Sequence, residues 1–232
     1  MLQQTQVVRV DSVYRDFMAT FPDPSDLAVA SSSEVVQAWG DLGYLRRAKA
    51  LQAAARHITA DGWPEDLTAL PGVGPYTAAA VRIFADESRL AAVDVNLRRI
   101  LSRWAGTKLT ERAATEFGTQ IVDPARPGDW NQAMMDLGAS LCRPGSPRCS
   151  ECPVTTWCHD PTVEIGRRRQ SPFAGSTRQA RAAILKHLAR NPADLNELIE
   201  RTGLEASTVS LALEALLGEE AVVAVDGRLE LG

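Results

Sequence analysis

The chain has 232 residues, 45% of them hydrophobic and 23% charged, with a formal net charge of −4. That length holds one large or two modest domains with real cores, and no apolar stretch is long enough to read as a membrane span. The acidic balance by itself argues against a nucleic-acid protein. Four cysteines without a secretory signal argue against a disulfide-dependent fold and for a cytoplasmic protein.

Helical periodicity dominates the pass along the chain. Apolar residues from Val7 to Phe21 recur at helical spacing up to Pro22-Asp23-Pro24. Ser33 is the expected cap of a helix running to about Gly40, and the next helix spans Tyr44 to Ile58. A short helix near Leu67 joins an Ala-rich one through Leu70-Pro71-Gly72-Val73-Gly74. Asp94 opens a helix over Val95 to Trp104, and Asn131 opens one over Gln132 to Leu141. A polar linker covers 166–176. Beyond it, three short helices and a hairpin, Val222 to Val225 and Arg228 to Leu231 around Asp226-Gly227, read as a winged-helix-like module over 177–232.

Charge is unevenly spread. Arg46, Arg47, Lys49 and Arg56 form one basic cluster, Arg98, Arg99, Arg103, Lys108 and Arg112 a second, and Arg167, Arg168 and Arg169 a third. Beside the motifs that follow, these read as a phosphate-contacting surface.

Cys142, Cys149, Cys152 and Cys158 stand as C-x6-C-x2-C-x5-C. Four thiolates in one short segment can close around one metal centre, because thiolate is the soft ligand that zinc and iron–sulfur clusters take. Zinc sites more often pair two tight hooks, and only Cys149 and Cys152 make one. The pattern favours a [4Fe–4S] cluster, whose four protein thiolates leave no iron open for Lewis-acid chemistry. Its expected work is to fix the loop that presents Arg143 and Arg148 to phosphates.

The glycines of Leu70-Pro71-Gly72-Val73-Gly74 permit a sharp turn at a helix N-terminus, a geometry that suits a backbone phosphate. Twenty residues on, Val93-Asp94-Val95-Asn96 places a carboxylate at a helix start, where Asp is also a favoured cap.

Met1-Leu-Gln-Gln-Thr-Gln-Val, Leu42-Gly-Tyr44, Leu70-Pro-Gly-Val-Gly-Pro-Tyr-Thr-Ala, Val93-Asp-Val-Asn, Asn131-Gln-Ala-Met-Met-Asp-Leu-Gly-Ala and the four cysteines occur in this order. Together they closely resemble the MutY-type adenine DNA glycosylases of the endonuclease III (helix-hairpin-helix) superfamily, over residues 1–165. The resemblance implies an all-α, helix-hairpin-helix glycosylase domain with a [4Fe–4S] cluster loop over 142–158. It implies a monomer acting on double-stranded DNA with a mismatched or oxidised base, removing adenine opposite 8-oxoguanine or guanine. Carried over by motif, Gln4 and Tyr44 would fill and wedge the vacated stack, and Gly72, Val73 and Gly74 would hold a phosphate. Asp94 would stabilise the oxocarbenium-like sugar, Asn96 would position nucleotide and water, and Tyr76 would sit against the reacting sugar. The lyase branch of the superfamily has a Schiff-base lysine at the position of Tyr76. Tyrosine cannot form that imine, which implies a monofunctional enzyme.

Two departures qualify the expectation. Family members carry a general-acid Glu two residues before the Met of Met-Leu-Gln-Gln, so the resemblance implies a start upstream or a truncated, impaired form. The C-terminal module also stands where many members have a β-rich domain reading 8-oxoguanine. Its candidate recognition helix, Ala206 to Leu217, has no Lys or Arg, and 171–232 carries six basic against nine acidic residues. That is poor for phosphate contact, so the module reads as a packing or protein-contact domain. The competing functions are a glycosylase for uracil or thymine opposite guanine, and a catalytically impaired lesion-binding protein.

Overall fold

The computed structural model describes residues 1–3, 5–166, 172–219 and 221–231; the side chain of Asp41 is likewise outside the description. Gln4 and the third basic cluster, Arg167 to Arg169, therefore lie outside the described residues. The described chain is mostly helical: α1 (Val7–Thr20), α2 (Pro24–Val29), α3 (Ser32–Trp39), α4 (Arg46–Asp61), α5 (Pro75–Asp86), α6 (Val95–Ala105), α7 (Glu111–Ile121), α8 (Pro127–Ser140), α9 (Thr177–Leu188), α10 (Leu195–Thr202) and α11 (Ala206–Gly218). One antiparallel hairpin, β1 (Val222–Val225) and β2 (Arg228–Leu231), follows. None of the described helices is long and apolar enough to cross a membrane.

Residue contacts divide the chain into two units, one formed by 1–65, 69–72 and 170–232, the other by 66–68 and 73–169. This grouping cuts the chain elsewhere than the sequence division into 1–165, 166–176 and 177–232. In the first unit, residues of both chain ends share one apolar cluster. Phe17, Val35, Trp39 and Ala48 belong to it together with Ile184, Leu198, Val209 and Leu216. A module of fewer than sixty residues buries a smaller fraction of its surface than a larger domain does, and its apolar faces join the neighbouring helices.

Polar contacts reinforce that junction. Glu219, at the end of α11, pairs with Arg181 of α9 at 2.5 Å and with Arg46 of α4 at 3.7 Å. Its carbonyl accepts from Lys49 Nζ at 3.5 Å. The hairpin turns through Asp226 (φ +48°) and Gly227 (φ +78°), the paired left-handed residues of a type I′ turn. Ala193 bridges to Leu229 beside it.

Arg47 organises the start of the first unit. Its guanidinium donates to the carbonyls of Met1 and Gln3, to Thr5 Oγ1 and to the carbonyls of Leu42 and Gly43. It also lies 5.1 Å from the Tyr44 ring centroid and 5.5 Å from that of Trp39. Arg56 donates to the Ala28 carbonyl at 2.9 Å. The basic cluster expected to meet phosphates is thus largely committed to the protein's own groups. A planar fork with five donors suits several convergent carbonyls better than one external oxygen.

In the second unit the core gathers Val93, Leu97, Ile100, Leu101 and Trp104 with Ala114, Val122, Met134 and Leu137, so α6 lies against α7 and α8. Three sequence expectations shift. Ser31, not Ser33, caps α3, because Glu34 at N3 completes a capping box with it. The stretch after Pro22 holds α2, with Asp23 and Asp26 forming another box and Pro24 at its start. Asn131 does not open a helix: α8 begins four residues earlier at Pro127 and Asn131 is fully buried within it.

Replacing Arg47 by Ala should lower unfolding free energy by about 2 kcal/mol or more, since several carbonyls lose their donor at once. Urea denaturation measures this, and Arg47→Lys should recover little because an ammonium cannot reproduce the fork.

Candidate active site and cysteine centre

The second unit builds its most ordered polar site at the start of α6. The segment Leu90–Val93 reaches it in a non-helical path, pinned from two sides. Thr119 Oγ1 of α7 accepts from Ala91 N–H at 3.3 Å. From α8, Asn131 Oδ1 accepts from Ala92 N–H at 2.9 Å, while its Nδ2 donates to the carbonyls of Leu90 and Pro127, both at 2.9 Å. This buried amide thus satisfies three main-chain groups that have no water to turn to.

Asp94 then caps α6. Its Oδ1 accepts from the N–H groups of Asn96 (2.9 Å) and Leu97 (2.7 Å), and its Oδ2 accepts from Asn96 Nδ2 at 2.8 Å. The capping role and the candidate catalytic role fall on one carboxylate, fixed by three donors at the positive end of a helix. Tyr76, in the first turn of α5, is 38% exposed. Partial burial, and then the Asp94 charge, push its hydroxyl above the ordinary tyrosine range. Asp94, Asn96 and Tyr76 all lie in the second unit.

Two buried arginines extend the site along α6. Arg99 donates from Nη1 to Asn96 Oδ1 (3.1 Å), from Nη2 to the Gly138 carbonyl (3.0 Å) and from Nε to the Cys142 carbonyl (2.8 Å). One turn on, Arg103 donates to Cys142 Sγ at 3.0 Å, to the carbonyls of Arg143 and Val163, and to Glu164 at 2.5 Å. Burial lowers its pKa, but Cys142 and Glu164 outweigh that and hold it above the usual arginine value. The second basic cluster read from sequence as a phosphate surface therefore loses Arg99 and Arg103 to the interior. Sequence reasoning missed this because charge spacing alone does not say which helix face is buried; a buried α6 with arginines at i and i+4 was the available signal.

All four cysteines are free thiols. Together with Arg103, Trp104, Leu137, Leu141 and Pro161 they line one cavity that opens to solvent. Trp157 closes edge-on against Trp104 at 5.6 Å. Burial, then the neighbouring Cys142 and Cys149, push the Cys158 thiol up. Among the described residues no three His, Cys, Asp or Glu side chains converge tightly enough to hold a single metal ion. Arg148 is paired with both Glu151 carboxylate oxygens through its Nε–Nη2 edge, and Arg143 and Arg148 are both exposed.

The remaining sequence-derived positions lie elsewhere. Tyr44 belongs to the first unit, 43% exposed, with φ +51°. A left-handed conformation is costly for an aromatic residue, and such strain persists where the surroundings impose it. Gly72, also in the first unit, has φ +75°, and a Cβ there would lie 2.6 Å from Ala50 Cβ, so both backbone and space demand glycine. Gly74 is the extended N-cap of α5, which opens with Pro75 and no side-chain cap, and Val73 is half-buried.

The family model for the "HhH-GPD superfamily base excision DNA repair protein" matches residues 1–123. The chain belongs to this superfamily. A second model, the DprA winged helix domain, matches 169–217. Among HhH-GPD relatives, an adenine DNA glycosylase of Mycobacterium tuberculosis is 36% identical, with 100% of this chain and 82% of that protein covered. One from Homo sapiens is 43% identical over 68% of this chain and 31% of its own length. A thermostable thymine-DNA glycosylase structure is 29% identical with a TM-score of 0.64, covering 68% of this chain and 78% of that one. A non-covalent endonuclease III–DNA complex, 22% identical with a TM-score of 0.60 over 69% of this chain and 79% of that one, shares the HhH-GPD fold.

Asn131→Leu should cost about 1–3 kcal/mol, because the buried N–H of Ala92 would lose its acceptor and the Leu90 carbonyl a donor. Chemical denaturation reads the loss; a change under about 0.5 kcal/mol would contradict the buried network.

Proposed function

We propose that the chain is an adenine DNA glycosylase that removes adenine opposite 8-oxoguanine or guanine from double-stranded DNA, hydrolysing the N-glycosidic bond without cutting the strand. The observation that carries the reading is the Asp94 carboxylate, oriented by three donors beside Tyr76 in a chain related throughout its length to a curated adenine DNA glycosylase. A mispaired base leaves the stack at least cost and so becomes accessible. As the bond from sugar to adenine N9 breaks, its electron pair leaves with the base and positive charge grows on the sugar; water then gives its hydroxyl to C1′, and its proton balances the charge of the departed adenine. Asp94 stabilises that charge, Asn96 positions the nucleotide and the water that adds, and Tyr76 lies against the sugar.

On the DNA side, Gly72, Val73 and Gly74 hold a phosphate at the uncapped start of α5, as helix N-termini do. Tyr44 wedges the duplex, its strained backbone being supported by the Arg47 contact. Arg143 and Arg148 contact phosphates, Arg148 by exchanging its partner Glu151. The other stack-filling residue, Gln4, rests on its motif alone.

The cysteine cavity fits a [4Fe–4S] cluster. Its donor set is four free thiols, and the buried Arg103 supplies an N–H to Cys142 Sγ where thiolate charge needs compensation. Cys142, Cys149, Cys152 and Cys158 would hold it, and the bound group would supply a rigid crosslink for the 142–158 loop. The chain acts as a cytoplasmic, nucleoid-associated monomer. Its winged-helix module packs within the first unit and offers a protein contact rather than a DNA surface, since α11 exposes Leu211, Glu214 and Leu217 and no cation.

Asp94→Asn should lower single-turnover adenine release by about 10²-fold or more while mismatch affinity stays near that of the unsubstituted protein. Unimpaired release would sink the assignment, and a panel carrying thymine or uracil opposite guanine tests the substrate base. Borohydride should trap no covalent adduct, because Tyr76 offers no amine. Cys149→Ser should reduce folded yield, iron content and DNA affinity together. Normal folding and binding without iron would remove the structural role.

A further inference from the structure

We infer that Gly138 is a positioning residue for Asp94: the absence of a side chain there lets α8 approach α6 closely enough to set Asn96, which holds the carboxylate. The inference rests on the glycosylase reading above. A Cβ on residue 138 would stand 2.9 Å from Asn96 Cβ and 3.4 Å from Ile100 Cδ1. The nearer atom is a Cβ bonded directly to the backbone, not the end of a flexible chain, so relief requires moving Asn96 or the helix.

The same residue is tied to the site through hydrogen bonds. Its carbonyl accepts from Arg99 Nη2 at 3.0 Å, and Arg99 Nη1 reaches Asn96 Oδ1 at 3.1 Å. Asn96 Nδ2 in turn donates to Asp94 Oδ2 at 2.8 Å. Contact and hydrogen bonding from Gly138 thus meet on one side chain, which supplies one of the carboxylate's three donors. Glycine inside a helix costs about 1 kcal/mol against alanine, and Gly138 is not among the residues with positive φ. Space, not backbone freedom, is what this glycine provides. Gly128 on the same helix differs: a Cβ there would meet Phe84 only at an ordinary 3.7 Å.

The test measures Asp94 placement directly, independent of the group that protonates the base. Duplexes carrying a cationic pyrrolidine in place of the target sugar are compared with duplexes carrying an uncharged tetrahydrofuran. Unsubstituted protein should prefer the cation. Gly138→Ala should reduce that preference by about tenfold or more, with tetrahydrofuran affinity kept within about twofold. Asn96→Gly, which removes the colliding atom, should also reduce it, and Gly138→Ala added to Asn96→Gly should reduce it no further.

A Gly138→Ala protein with full preference, or losses that multiply in the double variant, would overturn the role of Gly138. If Gly138→Ala does not fold, the double variant decides: recovered folding places the collision at Asn96, and continued misfolding overturns the proposal. Absence of cation preference in the unsubstituted protein would fail the glycosylase reading itself, a result distinct from either.

Discussion

A guanidinium removed from water must find acceptors for its N–H groups, and α6 carries two such groups one turn apart. Arg99 and Arg103 are both essentially inaccessible. Leaving either unsatisfied would cost several kcal/mol. The structure answers by bringing the α8 carbonyl of Gly138, the carbonyls of Cys142, Arg143 and Val163, and the Glu164 carboxylate onto one helix face. The cysteine segment has its position because these acceptors must be there. Asn96 and Asp94, at the head of the same helix, share its rigidity.

This makes α6 the element through which carboxylate and cysteine cavity are held in one frame. Arg99 touches both, through Asn96 Oδ1 on one side and the Cys142 carbonyl on the other. The glycosylase chemistry proposed for Asp94 needs a carboxylate that does not reorient as charge develops, and preorganisation of this kind is where such sites obtain most of their effect. The cysteine loop, remote from the reacting sugar in chemical role, contributes by stiffening the far end of the same helix.

Much of this was legible in the sequence, and the reasons are local. Asp94 followed by an amphipathic run reads as a cap, and the hairpin around Asp226-Gly227 follows from turn chemistry; both stand where expected. The HhH-GPD family and the winged-helix module were recognisable from motif order and element pattern. Less legible were Arg47, Arg99 and Arg103, since clustered arginines look the same whether they face solvent or a ring of carbonyls. Asn131 resembled a cap because it is a favoured cap type, although burial in α8 gives it three main-chain partners instead. Gly138 belonged to the Asn131-Gln-Ala-Met-Met-Asp-Leu-Gly-Ala motif, but its positioning role was not legible there, because a close approach between helices exists only in three dimensions.

The first unit draws on both ends of the chain, with Phe17, Trp39 and Ala48 sharing a core with Ile184, Leu198 and Leu216. During synthesis the segment 73–169 has emerged before most of the C-terminal partner exists, so it can fold while the N-terminal helices still wait with apolar faces uncovered. Contacts spanning well over a hundred residues also carry the loop-closure cost that slows folding. The helices beyond residue 176, made later, thus complete the unit that the helices before residue 65 begin.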